Sequence, residues 1–574
     1  MSTIIGFNCG IHDSTVSLIQ NNEVKAVYAE ERFTCVKQQG GQINGALDNL
    51  IADFNIDLNL VNAFAASTSM IINRSNDIFD RYSDKVRVYP HHLCHALGSL
   101  WYSQFQEDVL VITLDAGDYN IHNFHYGDVL GDTHKNIANQ TKPWHDRYKN
   151  VCHNVFGSVS TLRNGTFQIH NLFGPNFGNM YSMGCHSIYN KGIHGTNLEG
   201  KLMGLSSQGK YDEQLYKLFK SLCIFDPKTE RFDCMSQMAS TNNYLNGNLH
   251  HTIVDLASWN TDVRDVAYNV QRVLEEGICD LVRFYQNKFK CKKLCVAGGV
   301  FANVKVNQLL NEQFDFEEIF VMPAMSDEGI GFGAALCEIV NSQEYAVNTI
   351  NDKHVVKSIK GIYDLKPLHD AYIGKGFRKD VVDALVAAHC TNYVPFDFDV
   401  LINELKAGKI VGVFRGRSEF GPRALGNRSI LVDPTNRDTF TTLNNRLQRN
   451  EIMPFAPCIL QERVEEVLHC NKSQRAAQYM TICYNVRDEW INKIPAVINI
   501  HDNTCRPQIV TESSNNWLHT VLSKYNAATG IPALLNTSFN THGYPIINDP
   551  AQAVDALKAK VIDVLVLEDH IIYN

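Results

Sequence analysis

The chain begins with short apolar blocks separated by polar turns, a pattern that predicts a meander of β-strands. "IIGFN", "TVSLIQ" and "VKAVYAEE" each have the length and apolar content of a strand. The residues between them, 10–14 and "NNE", have the composition of turns. A polar turn between apolar strands also occurs in phosphate-binding hairpins, but this hairpin alone favours an ordinary meander.

Later apolar segments alternate between strand-like and helix-like patterns. The stretch 108–118, "DVLVITLDAGD", predicts a buried strand that ends in two carboxylates. Residues 292–310 and 317–340 each predict a strand, a turn or loop, and then a helix. Strands that alternate with helices predict an α/β fold whose ligands lie at the carboxyl ends of the strands.

The apolar period is lost between residues 341 and 365, which indicates a linker or peripheral structure. We place the linker at 346–365, between an N-terminal domain at 1–345 and a C-terminal domain at 366–574. A second α/β-like pattern begins near "DVLINELKAGKIVGVF" and closes with "DPAQAVDALKAKVIDVLVLED".

Composition narrows the class of protein. With 574 residues and 44% hydrophobic content, the chain can form two or three domains with full cores. A net charge of −9 argues against a surface built broadly for nucleic acid or acidic membranes. The 16 cysteines include no C-x-x-C pair, so buried reduced thiols are expected rather than zinc ribbons. Because neither a secretory leader pattern nor an apolar run of ~18 residues is visible, we expect a cytoplasmic protein without a membrane partner.

Two histidines and two aspartates form a candidate metal-binding set. His91 and His95, in "PHHLCHALGSLW", are four residues apart, so on a helix they share one face. Asp115 and Asp327 each follow an apolar strand, where a carboxylate faces a cleft. Such ligands suit iron, manganese or zinc. The alternatives are a hydrogen-bonded histidine pair and an aspartate that caps a helix, and the histidine spacing alone does not decide between them.

Glycine turns supply candidate nucleotide contacts. Gly298 and Gly299, followed by Asn303, form a strand–helix turn that would let a nucleotide approach the backbone. The alternative is an ordinary tight turn, since any such turn uses glycine. We add to this set Lys201, from another glycine-rich loop, and Asp118, the second carboxylate after the strand that ends at 114.

Arginines are concentrated between residues 415 and 449. In an acidic protein this local excess of positive charge predicts an anion site, because guanidinium groups bind phosphate through paired hydrogen bonds. The alternative is a solvated surface of salt bridges. The seven are Arg415, Arg417, Arg423, Arg428, Arg437, Arg446 and Arg449. "TCRPQIV" adds a further arginine, and "LLNTSFN" adds amide and hydroxyl donors at another strand end: Arg506, Asn536, Thr537, Ser538 and Asn540.

Taken together, these motifs resemble the O-carbamoyltransferase family of antibiotic and nodulation-factor tailoring. They occur in family order: "GIHDSTVSLI", "EERF", "HHLCHA", "EGKLMGLSSQG", "GGVFANV", "SDEGIGFGAA", "FRGRSEFGPRALGNRSILVDP", "MPFAP", "RPQIV" and "LLNTSFNTHGYPI". The resemblance implies an α/β fold in which an actin-like (ASKHA) N-terminal domain is joined to a C-terminal domain with a YrdC-like core.

The resemblance also implies ATP-dependent carbamoyl transfer in linked steps. The YrdC-like domain cleaves carbamoyl phosphate to carbamate and phosphate. Carbamate then reacts with ATP, used with Mg²⁺, to give carbamoyladenylate and pyrophosphate. A hydroxyl acceptor takes the carbamoyl group in the actin-like domain.

Matched to the family's motifs, the two histidines and two aspartates named above fall on metal ligands, with Fe²⁺ or Mn²⁺ expected. His12 falls on the proposed general base, and Lys37 lies where the family tends to face the acceptor. The positions that match the carbamoyl-phosphate and nucleotide site are Arg449, Arg506, Asn536 and Ser538. We add Arg417 and Arg423, from the arginine-rich segment, as candidate carbamoyl-phosphate contacts.

Two departures from the family pattern bear on this assignment. The family carries a lysine shortly before its "RE" motif and ends this stretch with "RPFAP". Here the stretch is "NNRLQRNEIMPFAP": it has no lysine, which Arg446 could replace, and Met453 stands where an arginine is usual. After "EERF" the family often has a basic residue, whereas this chain has Cys35 and then Lys37. Because this region tends to face the acceptor, the identity of the acceptor cannot be inferred from the family. We expect a small-molecule, sugar or nucleotide acceptor rather than polymeric nucleic acid, and the sequence leaves a homodimer open.

Two other functions are compatible with parts of this pattern. A non-catalytic ATP-binding regulator could use the same folds, although the retained histidines and aspartates argue against it. A maturation protein that carbamoylates a thiol should carry C-x-x-C zinc fingers and an acylphosphatase-like start, and this sequence shows neither.

Overall fold

The structure is a computed structural model of the chain. It describes residues 2–10, 12–67, 78, 81–116, 155–174, 176–190, 192, 198–234, 261–340, 355–356, 359–449, 454–470 and 472–574. Across these residues we find no helix with both the length and the apolar content needed to cross a membrane.

The first sheet has five strands in the order β3-β2-β1-β4-β5. They are β1 (Thr3–Asn8), β2 (Thr15–Gln20), β3 (Glu23–Ala29), β4 (Ala63–Ser67) and β5 (Val86–Tyr89). The first three form the predicted antiparallel meander, and β4 and β5 extend it in parallel. Every residue of β1 and β4 is buried, because apolar side chains cover both faces of the sheet. The α-helices of this part, as far as the structure describes it, are α1 (Glu31–Thr34), α2 (Asn44–Phe54) and α3 (His91–Ser103).

The second sheet has the strand order β12-β11-β6-β7-β8-β13. Its elements and those between them are β6 (Val109–Leu114), β7 (Gly157–Arg163), β8 (Thr166–Phe173), α4 (Phe177–Asn190), α5 (Leu198–Ser206), α6 (Glu213–Leu222), β9 (Ile224–Asp226), β10 (Arg231–Asp233), α7 (Val263–Phe289), β11 (Lys293–Ala297), α8 (Val304–Gln313), β12 (Glu318–Val321), α9 (Ile330–Ile339) and β13 (Val355–Val356). Strands β6–β8 form an antiparallel meander, and β11 and β12 follow β6 in parallel. The second sheet thus repeats the plan of the first, which is the duplicated arrangement of an actin-like domain and confirms the predicted α/β class.

Helix α3 lies between the two sheets and carries the predicted histidine pair. It begins at His91, directly after Pro90, and ends where Gln104 adopts a left-handed conformation. Every residue from His92 to Ser103 is buried. A helix that is buried on all sides has no freedom to turn, so its first residues hold a fixed position at the cleft.

The C-terminal domain is built on an eight-stranded mixed sheet in the order β14-β23-β22-β15-β16-β21-β17-β20. The strands of this part are β14 (Tyr393–Pro395), β15 (Val411–Phe414), β16 (Arg428–Val432), β17 (Ala456–Leu460), β18 (Tyr484–Asn485), β19 (Thr504–Cys505), β20 (Gln508–Val510), β21 (Ala533–Ser538), β22 (Val564–Leu567) and β23 (His570–Tyr573). Helix α10 (Lys360–Tyr363) lies in the segment predicted as the linker, and its Ile362 packs in the core of the N-terminal domain. The helices of the C-terminal domain are α11 (Lys379–His389), α12 (Phe398–Lys406), α13 (Asp438–Arg446), α14 (Val464–Val467), α15 (Gln474–Ala477), α16 (Asp488–Ile491), α17 (Asn516–Thr529) and α18 (Pro550–Lys558). Two apolar cores lie on the two faces of this sheet.

The two domains are joined by hydrogen bonds as well as by apolar packing. Arg475 of the C-terminal domain donates to the main-chain oxygens of Tyr102 and Ser103, at 2.8 and 3.0 Å. These oxygens end α3, so a positive charge lies at the negative end of the helix dipole. Asn307 donates to the Thr481 oxygen at 2.7 Å on the same side of the interface. The helix that carries the histidines is therefore fixed by both domains.

Candidate active site

Four side chains from three elements converge at the cleft of the N-terminal domain. His91 and His95 come from the first two turns of α3, Asp115 follows β6, and Asp327 lies between β12 and α9. One ligand atom of each lies within 4.8 Å of the others. His95 Nε2 is 2.9 Å from Asp115 Oδ2 and 3.7 Å from Asp327 Oδ1. The two imidazole Nε2 atoms are 3.1 Å apart.

This cluster fits a transition metal. Donor atoms that each lie about 2.1 Å from one ion are about 3 Å from one another, which matches the separations here. Two imidazoles and two carboxylates are a donor set suited to iron or manganese. Burial alone would lower the pKa of His91, but Asp327 and Asp115 reverse this and hold it well above its usual value. That reversal marks a strong concentration of carboxylate charge at the point where a cation would bind.

The glycine turn predicted to receive a nucleotide also positions a candidate metal ligand. Gly298 has a φ of +99°, and a Cβ there would lie 2.2 Å from the Leu114 oxygen. The amide of Gly299 donates to the Asp115 carboxylate. The closeness of β11 to β6 thus requires glycine at this turn, and the turn orients Asp115.

The other residues predicted to contact a nucleotide do not belong to this glycine turn. Asn303 caps α8 through a bond from the Val306 amide at 3.2 Å, and it exchanges amide hydrogen bonds with Gln271 at 2.8 and 3.1 Å. Lys201 is buried in α5. Asp118 lies outside the described residues. A nucleotide role for these three residues stays a prediction.

His12 lies in the turn between β1 and β2. Its Nδ1 is 2.9 Å from Asp13 Oδ2, and its side chain is 42% exposed. Because a carboxylate can only accept, Nδ1 carries the proton and Nε2 is left to accept one. Burial lowers the pKa of His12, but Asp327 and Asp13 outweigh it and raise the pKa above its usual value.

Three arginines of the C-terminal domain form a candidate anion site. Arg449 donates to Thr537 and Ser538, both at 2.9 Å, and to Asn540 at 3.0 Å. Its remaining two N–H groups form no hydrogen bond within the described residues, which leaves two donors for a ligand.

The other two members of this site, Arg423 and Arg506, each have a fully buried Nε without a partner. In the part of the chain that the structure describes, none of the three forms an ion pair. Burial, and then the charge of Arg506, lower the pKa of Arg423 to about 9 and that of Arg449 to about 10. The charge of Glu328 opposes the lowering of the Arg423 pKa, but within the described residues no acid forms an ion pair with the three arginines.

Not all arginines of the segment belong to this site. Arg417 donates three hydrogen bonds, to the oxygens of Lys25, Ile373 and Gly374 at 2.6–2.8 Å, so only Nη1 remains for an anion. Arg428 is buried and donates to four main-chain oxygens. Arg446, considered as a replacement for the missing lysine, is paired with Asp563 at 2.7 Å.

The strand end at β21 completes the anion site. Asn536 is buried, and its amide nitrogen donates to Gln508 at 2.7 Å while its side-chain oxygen has no partner. Ser538 contacts Arg449 as described, and Asn540 accepts from both of them. Asn540, named in the sequence only as one donor among several, thus orients Arg449.

The metal cluster and the anion site lie next to each other at the domain interface. Gly421, two residues before Arg423, approaches the loop before Asp327 so closely that a Cβ on it would lie 2.8 Å from the Pro323 oxygen. Lys37 of the N-terminal domain lies close enough to this region for its pKa to respond to the arginines. Burial lowers the pKa of Lys37, Glu31 raises it, and the charges of Arg449 and Arg423 lower it further. The metal cluster of one domain and the arginine cluster of the other therefore meet at one interface.

One residue of this region, Asn8, has no place in the sequence-based assignment. It is buried at the end of β1 and donates to the main-chain oxygen of Asp327 at 3.1 Å. Its only local signal is an amide at a strand end, four residues before His12. That signal is too common to identify it.

Comparisons with known proteins agree with the motifs. The family model described as carbamoyltransferase N-terminus matches residues 55–336, and the model described as carbamoyltransferase C-terminus matches residues 402–574. An uncharacterized protein of Methanocaldococcus jannaschii is 29% identical over 503 residues, which cover 85% of this chain and 74% of that protein. Nodulation protein NolNO of Sinorhizobium fredii is 32% identical over 317 residues, 54% of this chain and 44% of that protein. The structure of T. kodakarensis HypF aligns with 58% of this chain and 47% of its own at 13% identity, with a TM-score of 0.33.

Proposed function

The chain belongs to the carbamoyltransferase family, and we propose that it transfers the carbamoyl group of carbamoyl phosphate, through carbamoyladenylate, to a hydroxyl of a small-molecule, sugar or nucleotide acceptor. One observation carries this proposal. An arginine cluster that forms no ion pair within the described residues lies beside a histidine–aspartate cluster at one domain interface. Neighbouring sites of this kind suit two linked reactions that pass on an unstable intermediate.

The first reaction belongs to the C-terminal domain in this proposal. Water cleaves carbamoyl phosphate to carbamate and phosphate. An oxygen of carbamate then attacks the α-phosphorus of ATP, carried with Mg²⁺, and pyrophosphate leaves as carbamoyladenylate forms. Arg449, Arg506 and Arg423 hold the phosphate oxygens, because guanidinium donors bind phosphate and stabilise the charge that develops on it. Asn536 and Ser538 add neutral contacts.

The second reaction belongs to the N-terminal domain. The acceptor hydroxyl attacks the carbamoyl carbon, the bond to AMP breaks, and AMP leaves. His12 accepts the hydroxyl proton at Nε2 while Asp13 holds its ring through Nδ1. His91, His95, Asp115 and Asp327 would hold Fe²⁺ or Mn²⁺, which would supply a Lewis acid for an oxygen of the intermediate.

The arginine pair Arg449 and Arg446 offers a matched test. Arg449→Ala removes the two free donors, so kcat/KM for carbamoyl phosphate should fall by about 10²–10⁴-fold, from charge-assisted hydrogen bonds of about 1.5–3 kcal/mol each. Arg446→Ala, which breaks only the pair with Asp563, is the control and should keep turnover near wild type. Phosphate release from carbamoyl phosphate in the presence of ATP is the measurement. Equal turnover in the two variants would place the donor site elsewhere.

A further inference from the structure

Asn8 joins the turn that carries the proposed base to the backbone of a metal-site residue. It is the last residue of β1, and its side chain is buried. The side-chain oxygen accepts from the Gly10 amide at 3.1 Å. The side-chain nitrogen lies 3.1 Å from the main-chain oxygens of both Asp13 and Asp327, and 3.4 Å from that of His12. One amide therefore connects two segments more than 300 residues apart in sequence.

Two glycines allow this connection. A Cβ on Gly6 would lie 2.1 Å from the main-chain oxygen of Gly331, and a Cβ on Gly331 would lie 3.0 Å from the main-chain nitrogen of Asn8. Ser17 strengthens the contact, since its hydroxyl is 3.0 Å from the Gly331 oxygen. The start of α9 therefore packs directly on β1, which brings the backbone of Asp327 within reach of Asn8.

The position of the His12 ring depends on the turn that carries it. Asp13 adopts a left-handed φ of 54°, and the turn is tied on its other side by main-chain bonds from Asp13 to Gln38 at 3.3 Å and from Ser14 to Gln39 at 2.8 Å. Within the described residues, the ring of His12 bonds only to Asp13, the next residue. The main chain of the turn therefore sets the position of the ring relative to the metal cluster. The Asn8 side chain links that main chain to Asp327 by hydrogen bonds.

We propose that Asn8 is a positioning residue, whose amide sets the separation between the His12 imidazole and the Asp327 carboxylate. This inference rests on the proposed role of His12 as the base. Asparagine is suited to it because one end must accept from an N–H while the other donates to carbonyl oxygens. A carboxylate of the same shape cannot donate and would face those oxygens with like charge.

The test compares Asn8→Asp with Asn269→Asp in the full-length protein. Asn269 is a matched control. Its buried amide donates to the oxygens of Lys210 and Asp265 at 3.0 and 2.8 Å and accepts from the Asp212 amide at 3.2 Å. It has the same bonding pattern, but it lies on α7 and these partners do not belong to the metal cluster. A general cost of placing a carboxylate in such a site should therefore affect both variants.

Three quantities are measured for each variant: pyrophosphate formation from carbamoyl phosphate and ATP, AMP release with glycerol as the hydroxyl probe, and metal content. For Asn8→Asp we expect the kcat of AMP release to fall about 10–100-fold, because small misplacement of a catalytic group has effects of this size. Pyrophosphate formation, the KM for carbamoyl phosphate and metal content should match wild type. AMP release unchanged from wild type, loss of metal, or equal loss of both half-reactions would overturn the inference.

Two further variants keep the inference distinguishable from the proposed function. Asn8→Ser retains one donor, so its AMP release should lie between wild type and Asn8→Asp, and it also serves if Asn8→Asp does not fold. Adding Asn8→Asp to His12→Asn should slow AMP release no further, since the two residues act as one unit. Independent, multiplying effects would refute positioning by Asn8. If His12→Asn alone leaves AMP release unchanged, the proposed role of His12 fails instead.

Discussion

Arg506→Met should make the ligand-free protein more stable while it abolishes turnover of carbamoyl phosphate. The Arg506 Nε is buried without a partner, and within the described residues its guanidinium has no acidic partner. Its charge also lowers the pKa of Arg423 and Arg449, which means that the three charges repel one another when no anion is bound. Methionine has a similar length and removes both costs.

The size of the effect follows from these contacts. A buried donor without a partner costs about 1–3 kcal/mol, and because Arg506 is only partly buried we take the lower end, about 1 kcal/mol. For a domain of this size that corresponds to a rise in Tm of about 2–4 °C. Phosphate at about 100 times its Kd should stabilise the wild-type protein by about 2.7 kcal/mol, and it should not stabilise the variant.

Thermal unfolding with and without inorganic phosphate measures both expectations. Arg446→Met is the control: it loses only the half-exposed pair with Asp563, so its Tm should change little and its response to phosphate should persist. A lower Tm for Arg506→Met than for wild type in phosphate-free buffer would refute the argument that this charge is unbalanced. Equal stabilisation of wild type and variant by phosphate would remove Arg506 from the anion site.

Four other outcomes are expected. His95→Ala should lose its metal in elemental analysis while pyrophosphate formation continues, and full metal occupancy would return the histidines to a structural role. His12→Asn should slow carbamoylation by about 10²–10⁴-fold and spare pyrophosphate formation. In the wild type, transfer should speed up as pH rises, since only the neutral ring accepts a proton, and although burial lowers the pKa of His12, its hydrogen bond to Asp13 raises it; a variant that keeps this pH profile would assign the proton to another group. Gly331→Ala should destabilise the protein by about 1–3 kcal/mol in denaturant unfolding, since its Cβ would meet Thr15 Oγ1 at 2.8 Å, and an unchanged midpoint would show that α9 can shift freely.

Local pattern was sufficient to predict the elements that carry the site. The meander β1–β3, the strand–turn–helix at β11 and the helix that begins at His91 follow from short-range apolar periodicity and turn residues. The pairing of β6 with β11, about 180 residues apart, follows from the fold and not from any local signal. The resemblance to a family supplied what local pattern could not, the meeting of His91 with Asp327.

Individual side-chain roles were harder to predict, because residues of one type differ only in their tertiary contacts. Arg423 and Arg417 lie six residues apart in one loop, yet one has a buried Nε without a partner and the other donates to three main-chain oxygens. Asn8 and Asn303 are both buried amides near a cleft, and only their distant partners, Asp327 and Gln271, separate them. Such contacts depend on packing between segments far apart in sequence.

The central claim, that this chain joins carbamate to ATP before transfer, is tested most directly by the nucleotide products. Purified full-length protein is incubated with carbamoyl phosphate, ATP and Mg²⁺, with glycerol as the hydroxyl probe, and the products are separated and quantified. We predict equal amounts of phosphate, pyrophosphate and AMP, with carbamoyladenylate detectable by mass spectrometry when the probe is omitted. Formation of ADP without pyrophosphate, or carbamoylation of the probe without consumption of ATP, would contradict the account.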